Sequence, residues 1–575
     1  MQVYEALVNG LEDVGVEVAF GGNGENIASL ALALDRSRQI RPIITRHEQA
    51  AAYMACGYAM FTDRLGVCFA TVGPGAFNLL TGLGVAMSDS YPVLAITGYV
   101  AEEWEGRGAV NDTSGRNGTP DSRAIFSATT KRSFRITDID DTCDVVEEAV
   151  NLALSGRPGP VHIEVPQNLT YRSADVEELR AIRVTESPVH PDPVGVESVT
   201  SALADALGAG RNVVLLAGYG AIRSHAEAAV LRFAERFEVP VVSTLDGKGI
   251  IPETHRLAAG VFSESGHASA WKVFREADVV LAVGNSLNQH ATFGLREDLF
   301  DGKVLIQVNI AAFEIGKHYR VDHGLVADAR LALEAITAGL DQRVGGVRAA
   351  AVEARDYESR RILALPDKLQ PGKVHPGRLA QAIGRQLPRD AVLLADAGAH
   401  LAWLGYYVDL EGGQNFRKCG AFGPMAAHTN AAIGVKLANP ERTVVVGCGD
   451  GCYAMSGFEL MTAVQHDIPV IWVIFNDAEL KLVKVYQVAT YGKSALVELD
   501  PPDFAAYAVA CGADGFRVET LDEFDAVFAQ ALRSGRPTVI DVQITRWALP
   551  HYSSSPEGVL HGAWEQLEQR LKEQL

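Results

Sequence analysis

Residues 442–477 read RTVVVGCGDGCYAMSGFELMTAVQHDIPVIWVIFND. A continuous apolar run meets a glycine turn at Gly449-Asp450-Gly451, a helical stretch follows, and a second apolar run ends in Phe475-Asn476-Asp477. Strand, helix and strand in this order make a βαβ unit. Its strands run parallel, so the turn and the second strand's end emerge at the same carboxyl edge of the sheet. Asp450 and Asn476 thereby become neighbours. One carboxylate, one side-chain amide, one main-chain carbonyl and ligand phosphates suit magnesium, a hard cation that keeps near-octahedral oxygen geometry. Gly449 and Gly451 let the main chain approach closely, and the helix beginning near Cys452 offers free amides to a diphosphate. Two other phosphate-binding patterns fail. A dinucleotide fingerprint would need glycine where Cys452 stands, and a phosphate loop ending in Gly492-Lys493-Ser494 would need glycine at Gln487. An ordinary turn remains the alternative for Gly449–Gly451 alone, and the spacing to Asn476 argues against it.

The same alternation runs through the chain. VEVAFGG, IRPIITR, LGVCFAT, YPVLAITG and PGPVHIEVP read as strands of a first unit, with helical stretches between them. NVVLLAG, VPVVSTL, DVVLAVG and KVLIQVN belong to a second unit, and AVLLADAG, RTVVVGCGDG, IPVIWVIFND and PTVIDVQI to a third. Near-continuous apolar strands separated by helices imply parallel sheets covered on both faces. The expected class is α/β, with three doubly wound parallel-sheet domains at residues 1–185, 196–345 and 373–548 and a tail at 549–575. A proline-containing linker is expected near 186–195, and a charged helical connector near 346–365.

Length and composition agree. A chain of 575 residues is too long for one core. With 48% hydrophobic and 21% charged residues it is globular, and its apolar runs are too short to span a membrane. The opening MQVYEALVNGLEDVG is an amphipathic helix without secretory signal features, so a cytoplasmic location is expected. Seven scattered cysteines, without a CxxC pair, read as buried free thiols. A formal charge of −20 without any basic run argues against nucleic acid as a partner.

The GDG turn and its spacing to Asn476-Asp477 resemble the signature of the thiamine diphosphate enzyme superfamily, with aspartate in place of the second asparagine. The resemblance implies that Asp450, Asn476 and the Ala478 carbonyl bind Mg2+, and that Gly449, Gly451 and Cys452 face the diphosphate. It extends to the first unit. There Arg46-His47-Glu48-Gln49 opens a helix of small residues, and Thr71-Val72-Gly73-Pro74-Gly75-Ala76-Phe77-Asn78 is similar to the TxGPGxxN segment of the acetohydroxyacid synthase and pyruvate oxidase branch. Glu48 is then the carboxylate that hydrogen-bonds the cofactor's aminopyrimidine and promotes loss of the thiazolium C2 proton. Gly73 and Asn78 would lie in the cofactor pocket. CGAFGPMAAHTNAAIG resembles the segment gripping the pyrimidine from the other side, with Gly423 offering a carbonyl and Met425 as the apolar wedge. Asp396-Ala397-Gly398-Ala399-His400 is similar to a second diphosphate-facing turn, so Ala399 and His400 join the cofactor set. Such enzymes build each site between the first unit of one subunit and the third unit of its partner, which implies a homodimer or homotetramer.

The middle unit is similar to the FAD-binding domain of the same branch at Ala217-Gly218-Tyr219-Gly220, Gly284-Asn285-Ser286 and 309–328, although Asn309 replaces an aspartate. Those glycine turns serve either a bound FAD or the fold alone. The acceptor side departs further. Tyr99 stands where the synthases have glutamine, Lys481 replaces glycine in NDAELKLVKVYQ, and Lys131 matches the pocket lysine without the stretch that precedes it. Glu25 and Asn26, in Gly21-Gly22-Asn23-Gly24-Glu25-Asn26, stand where synthases carry small or apolar residues. Glu25 is either a helix cap or a proton-handling group. The reading is an acetolactate synthase-like carboligase that takes a 2-oxo acid, pyruvate by default, and transfers its acyl group to a carbonyl acceptor. Its candidate catalytic residues are Glu48, Glu25, Asn26, Tyr99 and Lys481. The alternatives are a decarboxylase or specialised carboligase with a polar, non-pyruvate acceptor, a pyruvate oxidase-like flavoenzyme, and a non-catalytic binding relative.

Overall fold

The computed structural model describes residues 2–170, 180–185, 188–344 and 372–549. Three six-stranded sheets, all with parallel neighbours, carry these residues. Strands β1 (Val18–Gly21), β2 (Arg41–Ile44), β3 (Gly66–Ala70), β4 (Val93–Tyr99), β5 (Ser133–Arg135) and β6 (Val161–Pro166) form the first, in the order β2-β1-β3-β4-β6-β5. The second contains β7 (Val213–Ala217), β8 (Val241–Ser243), β9 (Ala258–Val261), β10 (Val279–Val283), β11 (Val304–Asn309) and β12 (His323–Val326), in the order β12-β11-β10-β7-β8-β9. The third contains β13 (Val392–Ala395), β14 (Asn415–Lys418), β15 (Val444–Gly449), β16 (Ile471–Asn476), β17 (Asp514–Val518) and β18 (Thr538–Gln543), in the order β14-β13-β15-β16-β18-β17. The expected α/β class with three parallel sheets is the observed one.

Strand order places the site. In each sheet the chain leaves one strand toward one side and returns on the other, so a crevice opens between β1 and β3, between β7 and β10, and between β13 and β15. Ligands of open α/β sheets bind at such switch points, outside the carboxyl ends of the strands. The glycine turns singled out in the sequence follow β1, β3, β7, β10, β13 and β15.

First and third units share one apolar core, whose spine is the helix Glu48–Met60 crossing the helix Ala427–Ala438. Every residue from Ala50 to Met60 is buried. The two backbones touch. A methyl group at Gly57 would lie 2.0 Å from the Ala431 carbonyl oxygen, and one at Gly434 would lie 1.9 Å from that of Met54. The middle unit has its own core and docks on the far end of the spine. Arg223 Nη1 donates to the Ala59 carbonyl at 2.7 Å and the Tyr219 hydroxyl to that of Met60 at 3.1 Å, satisfying carbonyls that a helix end leaves open.

Pro193–Gly195, read from the sequence as linker, open the helix Pro193–Gly208 instead. Asp192 caps it through the Gly195 amide, and a proline is tolerated in a first helical turn. The expected connector at 346–365 and all of the tail but Leu549 lie outside the described residues. Six cysteines are free and buried, and Cys511 is free and half-buried. No helix among the described residues is long and apolar enough to cross a membrane.

Candidate active site

At the first switch point the loops after β1 and β3 close around Glu48. His47 caps its helix by accepting the Gln49 amide on Nδ1 at 3.1 Å. Glu48 is half-buried, and Asn78 Nδ2 donates to its Oε2 at 2.9 Å. Methyl groups at Gly22 and Gly75 would approach Glu48 Oε1 to 3.4 and 3.0 Å, so the absence of side chains there leaves the carboxylate room. Gly24 abuts Thr71, where a methyl would lie 2.6 Å from the threonine side chain. Gly73 turns the chain at φ +64° just before the helix Pro74–Asn78. Glu48 and Asn78, named separately from the sequence, thus meet, and Asn78 addresses the carboxylate directly.

Glu25 is exposed at the start of a short 3-10 turn on this edge, and Asn26 backs onto Gly98 at the end of β4. Tyr99 is buried, with the Arg135 guanidinium 3.9 Å over its ring, and Arg135 is held by Glu164 at 2.7 Å. Lys131, read as matching a pocket lysine, donates instead to the carbonyls of Leu152, Ser155 and Arg157 at 2.5, 2.9 and 3.1 Å. It closes the carboxyl end of the helix Thr142–Leu154, where a cation is favoured.

At the third switch point, Gly449 pairs with Phe475, which brings Asp450 beside Asn476. Asp450 is 2% exposed. Its Oδ1 accepts the Gly451 amide at 2.8 Å, and its Oδ2 is buried without a hydrogen-bond partner. Burial, reinforced by the charge of Asp477, pushes its carboxyl up to about 7. Asn476 Nδ2 donates to Asp541 Oδ1 at 2.8 Å, which orients the amide. Asp541 Oδ2 is a second buried carboxylate oxygen without a partner. Ala478 follows in the left-handed region at φ +56°, and its carbonyl accepts the Leu499 amide at 2.9 Å and, more weakly, Arg546 Nη2 at 3.5 Å. Among the described residues no group of three or more His, Cys, Asp and Glu side chains is arranged to hold a metal ion. A cation here would therefore lean on the Asp450 carboxylate together with amide, carbonyl and phosphate oxygens, the donor set of magnesium. The two orphaned carboxylate oxygens fit it, because a buried unpaired charge is costly until a counter-charge arrives.

Asp477, where the resemblance has asparagine, joins a different network. Lys481 Nζ lies 3.3 Å from Asp477 and 2.6 Å from Glu479, and donates to the Arg546 carbonyl at 2.8 Å. Lys484 also reaches Glu479, at 2.7 Å. Lys481 thus secures the turn that carries Asn476 and Ala478. The opposing turn is as tightly made. Asp396 Oδ2 accepts the amide and hydroxyl of Thr429 at 2.8 and 2.5 Å, and His400 Nε2 donates to the Asp396 carbonyl at 2.8 Å. Burial lowers His400 to about 4, which keeps its ring neutral. Cys452 Sγ reaches the Ala397 carbonyl at 3.0 Å, and a methyl at Gly449 would lie 3.3 Å from His400 Nδ1, so the turns after β13 and β15 face each other. Met425 lies over Gly451, where a methyl would come 3.1 Å from its Cε, and Gly423 bends the approach at φ +64°. Met425, Asp450 and Asn476 gather at this one edge.

No hydrogen bond or ion pair among the described residues links Glu48 or Asn78 to Asp450, Asn476 or Met425. The middle switch point borders a cavity of about 550 Å³ lined by residues of all three units, among them Arg157, Gly218, Gly284, Asn285 and Arg417. Its glycine turns interlock with each other. A methyl at Gly218 would lie 2.4 Å from the Gly284 carbonyl and one at Gly284 2.3 Å from the Ala221 amide, so the fold alone requires them. Asn309 Nδ2 donates to the Asn285 carbonyl at 3.3 Å, which an aspartate could not do. Asn285 Nδ2 is buried and unpartnered.

Asp541 escaped the sequence reading, although its signal was present: a lone carboxylate in PTVIDVQI, an otherwise apolar central strand, must find a partner when buried.

Comparison with known proteins agrees with this architecture. The chain matches the thiamine pyrophosphate enzyme N-terminal TPP binding domain over residues 1–118, the central domain over 200–336 and the C-terminal TPP binding domain over 396–542. It is 32% identical to a probable acetolactate synthase large subunit of Methanocaldococcus jannaschii over 95% of this chain and 92% of that protein. It is 29% identical to the acetolactate synthase large subunit of Corynebacterium glutamicum, over 93% and 86%. The corresponding figures for Parasynechococcus marenigrum are 32%, 94% and 87%. With three sheets in this order and a glycine turn at every switch point, the chain belongs to the thiamine pyrophosphate-dependent enzymes, in the branch of the acetolactate synthase large subunits.

Proposed function

We propose that this acetolactate synthase-like carboligase takes pyruvate as donor and a second pyruvate as default acceptor, with Glu48 as its proton-handling carboxylate and Asp450 and Asn476 as its metal ligands. The observation that carries the reading is the buried, unpartnered Oδ2 of Asp450 beside Asn476 at a switch point. Thiamine diphosphate, when bound, supplies a nucleophilic carbon and an electron sink that amino-acid side chains lack. Asp450, Asn476 and the Ala478 carbonyl hold the magnesium ion. The turns Gly398–His400 and Gly449–Cys452 take the diphosphate on main-chain amides. Gly423 and Met425 shape the pyrimidine end of the pocket. Glu48, oriented by Asn78, holds and moves a proton at the aminopyrimidine.

We further propose that each site takes Glu48 from one protomer and Asp450 from another, which makes a homodimer the smallest active form. Exposed apolar residues on the third unit support this: Phe422, Met455, Phe458, Tyr486 and Leu496 await a cover. We place the enzyme in the cytoplasm, with small 2-oxo acids and carbonyl compounds as its partners.

Glu25 and Asn26 are the first-unit groups we assign to the acceptor side, and Tyr99 and Lys481 act through the loops they brace. The exposed Glu25 favours the second reading, a polar acceptor other than pyruvate. Incubation with pyruvate, thiamine diphosphate and Mg2+, with product identification against a panel of aldehyde and ketone acceptors, separates the two. Acetolactate as main product supports the first reading, and preference for a hydroxylated acceptor supports the second. Glu25→Gln is expected to change product partition, and unchanged carboligation kinetics would remove Glu25 from the site. The middle cavity suits a nucleotide in size, and its buried Asn285 amide offers a donor. FAD is the ligand to look for there, by flavin absorbance of the purified protein.

A further inference from the structure

Glu459 is 2% exposed and belongs to the third unit, at the end of the 3-10 turn Gly457–Glu459 that continues the helix Asp450–Ser456. Its carboxylate crosses to the first unit. Oε1 accepts the Arg46 amide at 2.9 Å and the His47 amide at 3.0 Å, Oε2 approaches the Arg46 amide at 3.2 Å, and Thr462 Oγ1 donates to Oε2 at 2.6 Å. Arg46 and His47 are the two residues before Glu48. The same stretch is tied twice more to the third unit, by Arg46 Nη2 to Gln465 Oε1 at 2.6 Å and by Arg41 Nη2 to the His466 carbonyl at 2.7 Å. Among the described residues Glu459 has no cationic side chain within ion-pairing distance. Its charge is met by two main-chain amides and a hydroxyl. Burying a carboxylate on such partners is costly, and a loop that needed only a local cap could use a serine or aspartate of its own.

We propose that Glu459 is a positioning residue for Glu48: by accepting the two amides in front of it, Glu459 sets where the helix begins and how the activating carboxylate stands. The inference rests on the assignment of Glu48 made above. With the two-protomer site proposed above, the clamp also bridges sites. Glu459 lies on the segment that starts at Asp450, so the metal turn of one site is mechanically continuous with the Glu48 of the other.

The test uses the full chain with thiamine diphosphate and Mg2+, in the wild type, Glu459→Gln, Glu459→Ala and Glu48→Gln. Deuterium exchange at the thiazolium C2 of the bound cofactor reports on Glu48 independently of turnover. Amide hydrogen exchange at residues 46–48 of the cofactor-free chain reports on the clamp. In Glu459→Ala the amides should lose protection and C2 exchange should fall about tenfold, which is ~1.4 kcal/mol in its barrier. Cofactor affinity should stay that of the wild type, since Glu459 touches none of the anchor residues. Glu459→Gln, which keeps one acceptor, should fall between. If the alanine variant does not fold, the glutamine variant carries the same comparison. Wild-type C2 exchange in a folded variant whose amides have lost protection would overturn the proposal and leave Glu459 a purely structural contact. Unchanged C2 exchange in Glu48→Gln would overturn the assignment of Glu48 and this inference with it. In a double variant combining Glu459→Ala with Glu48→Gln, no further loss beyond that of Glu48→Gln supports action through Glu48, whereas an additive loss contradicts it.

Discussion

The switch points of the first and third sheets are built alike and finished differently. In both, two glycine turns face each other across the crevice, and a carboxylate stands at the start of a helix. Glu48 is half-buried and receives a hydrogen bond from Asn78 within its own unit. Asp450 is nearly inaccessible, keeps one oxygen without a partner, and feels the charges of Asp477 and Asp541. A carboxylate that must gain and lose protons needs a defined orientation and some access to its reaction partner. One that binds a cation needs charge left uncompensated by the protein. The Glu48 carboxylate finds a partner within its own unit, whereas Asp450 keeps one oxygen unmet.

Replacing Asp450 with alanine should break the contrast most severely. The cation then has no anionic ligand, and cofactor binding, followed by quenching of protein fluorescence, should disappear. Glu48→Gln should leave cofactor binding intact and lower turnover about 10²–10⁴-fold, the range of positioned acid-base catalysis. A loss of binding of similar size in both variants would mean that the two edges do not divide the work. Asp541→Asn keeps the shape but weakens the hold on Asn476. The Mg2+ concentration needed for half-saturation should rise about 10–100-fold, as for partners that orient metal ligands. At the first edge the corresponding change is Asn78→Ala, which should lower kcat about tenfold by freeing the Glu48 carboxylate while magnesium demand stays unchanged. A shifted magnesium requirement in that variant would show that the two edges are coupled.

Much of the architecture was legible before any coordinates. Apolar runs such as VVLLA and VIWVIF belong to strands buried on both faces, and their burial in β7 and β16 follows from that composition. The glycine turns were legible as well, and at Gly218 and Gly284 the structure supplies the reason, since a methyl at either would overlap a neighbouring backbone. Less legible was what a polar residue does once placed. Lys131 and Lys481 matched or departed from a substrate-pocket pattern by sequence, yet one closes a helix end and the other braces a turn. Tyr99 is covered by an arginine that comes from β5.

The amino-acid sequence alone determined the cofactor class, the three α/β units and the identities at the two glycine edges, because these depend on local patterns: strand composition, turn glycines, and a carboxylate and an amide separated by one βαβ unit. Only the tertiary structure decided which groups are left unsatisfied and which are clamped. Asn476 meets Asp541 across 65 residues, and Arg46 meets Glu459 across 413. Hydrogen bonds over such separations are products of sheet order and of the crossing between the helices Glu48–Met60 and Ala427–Ala438, and neither can be read from the residues that form the bonds.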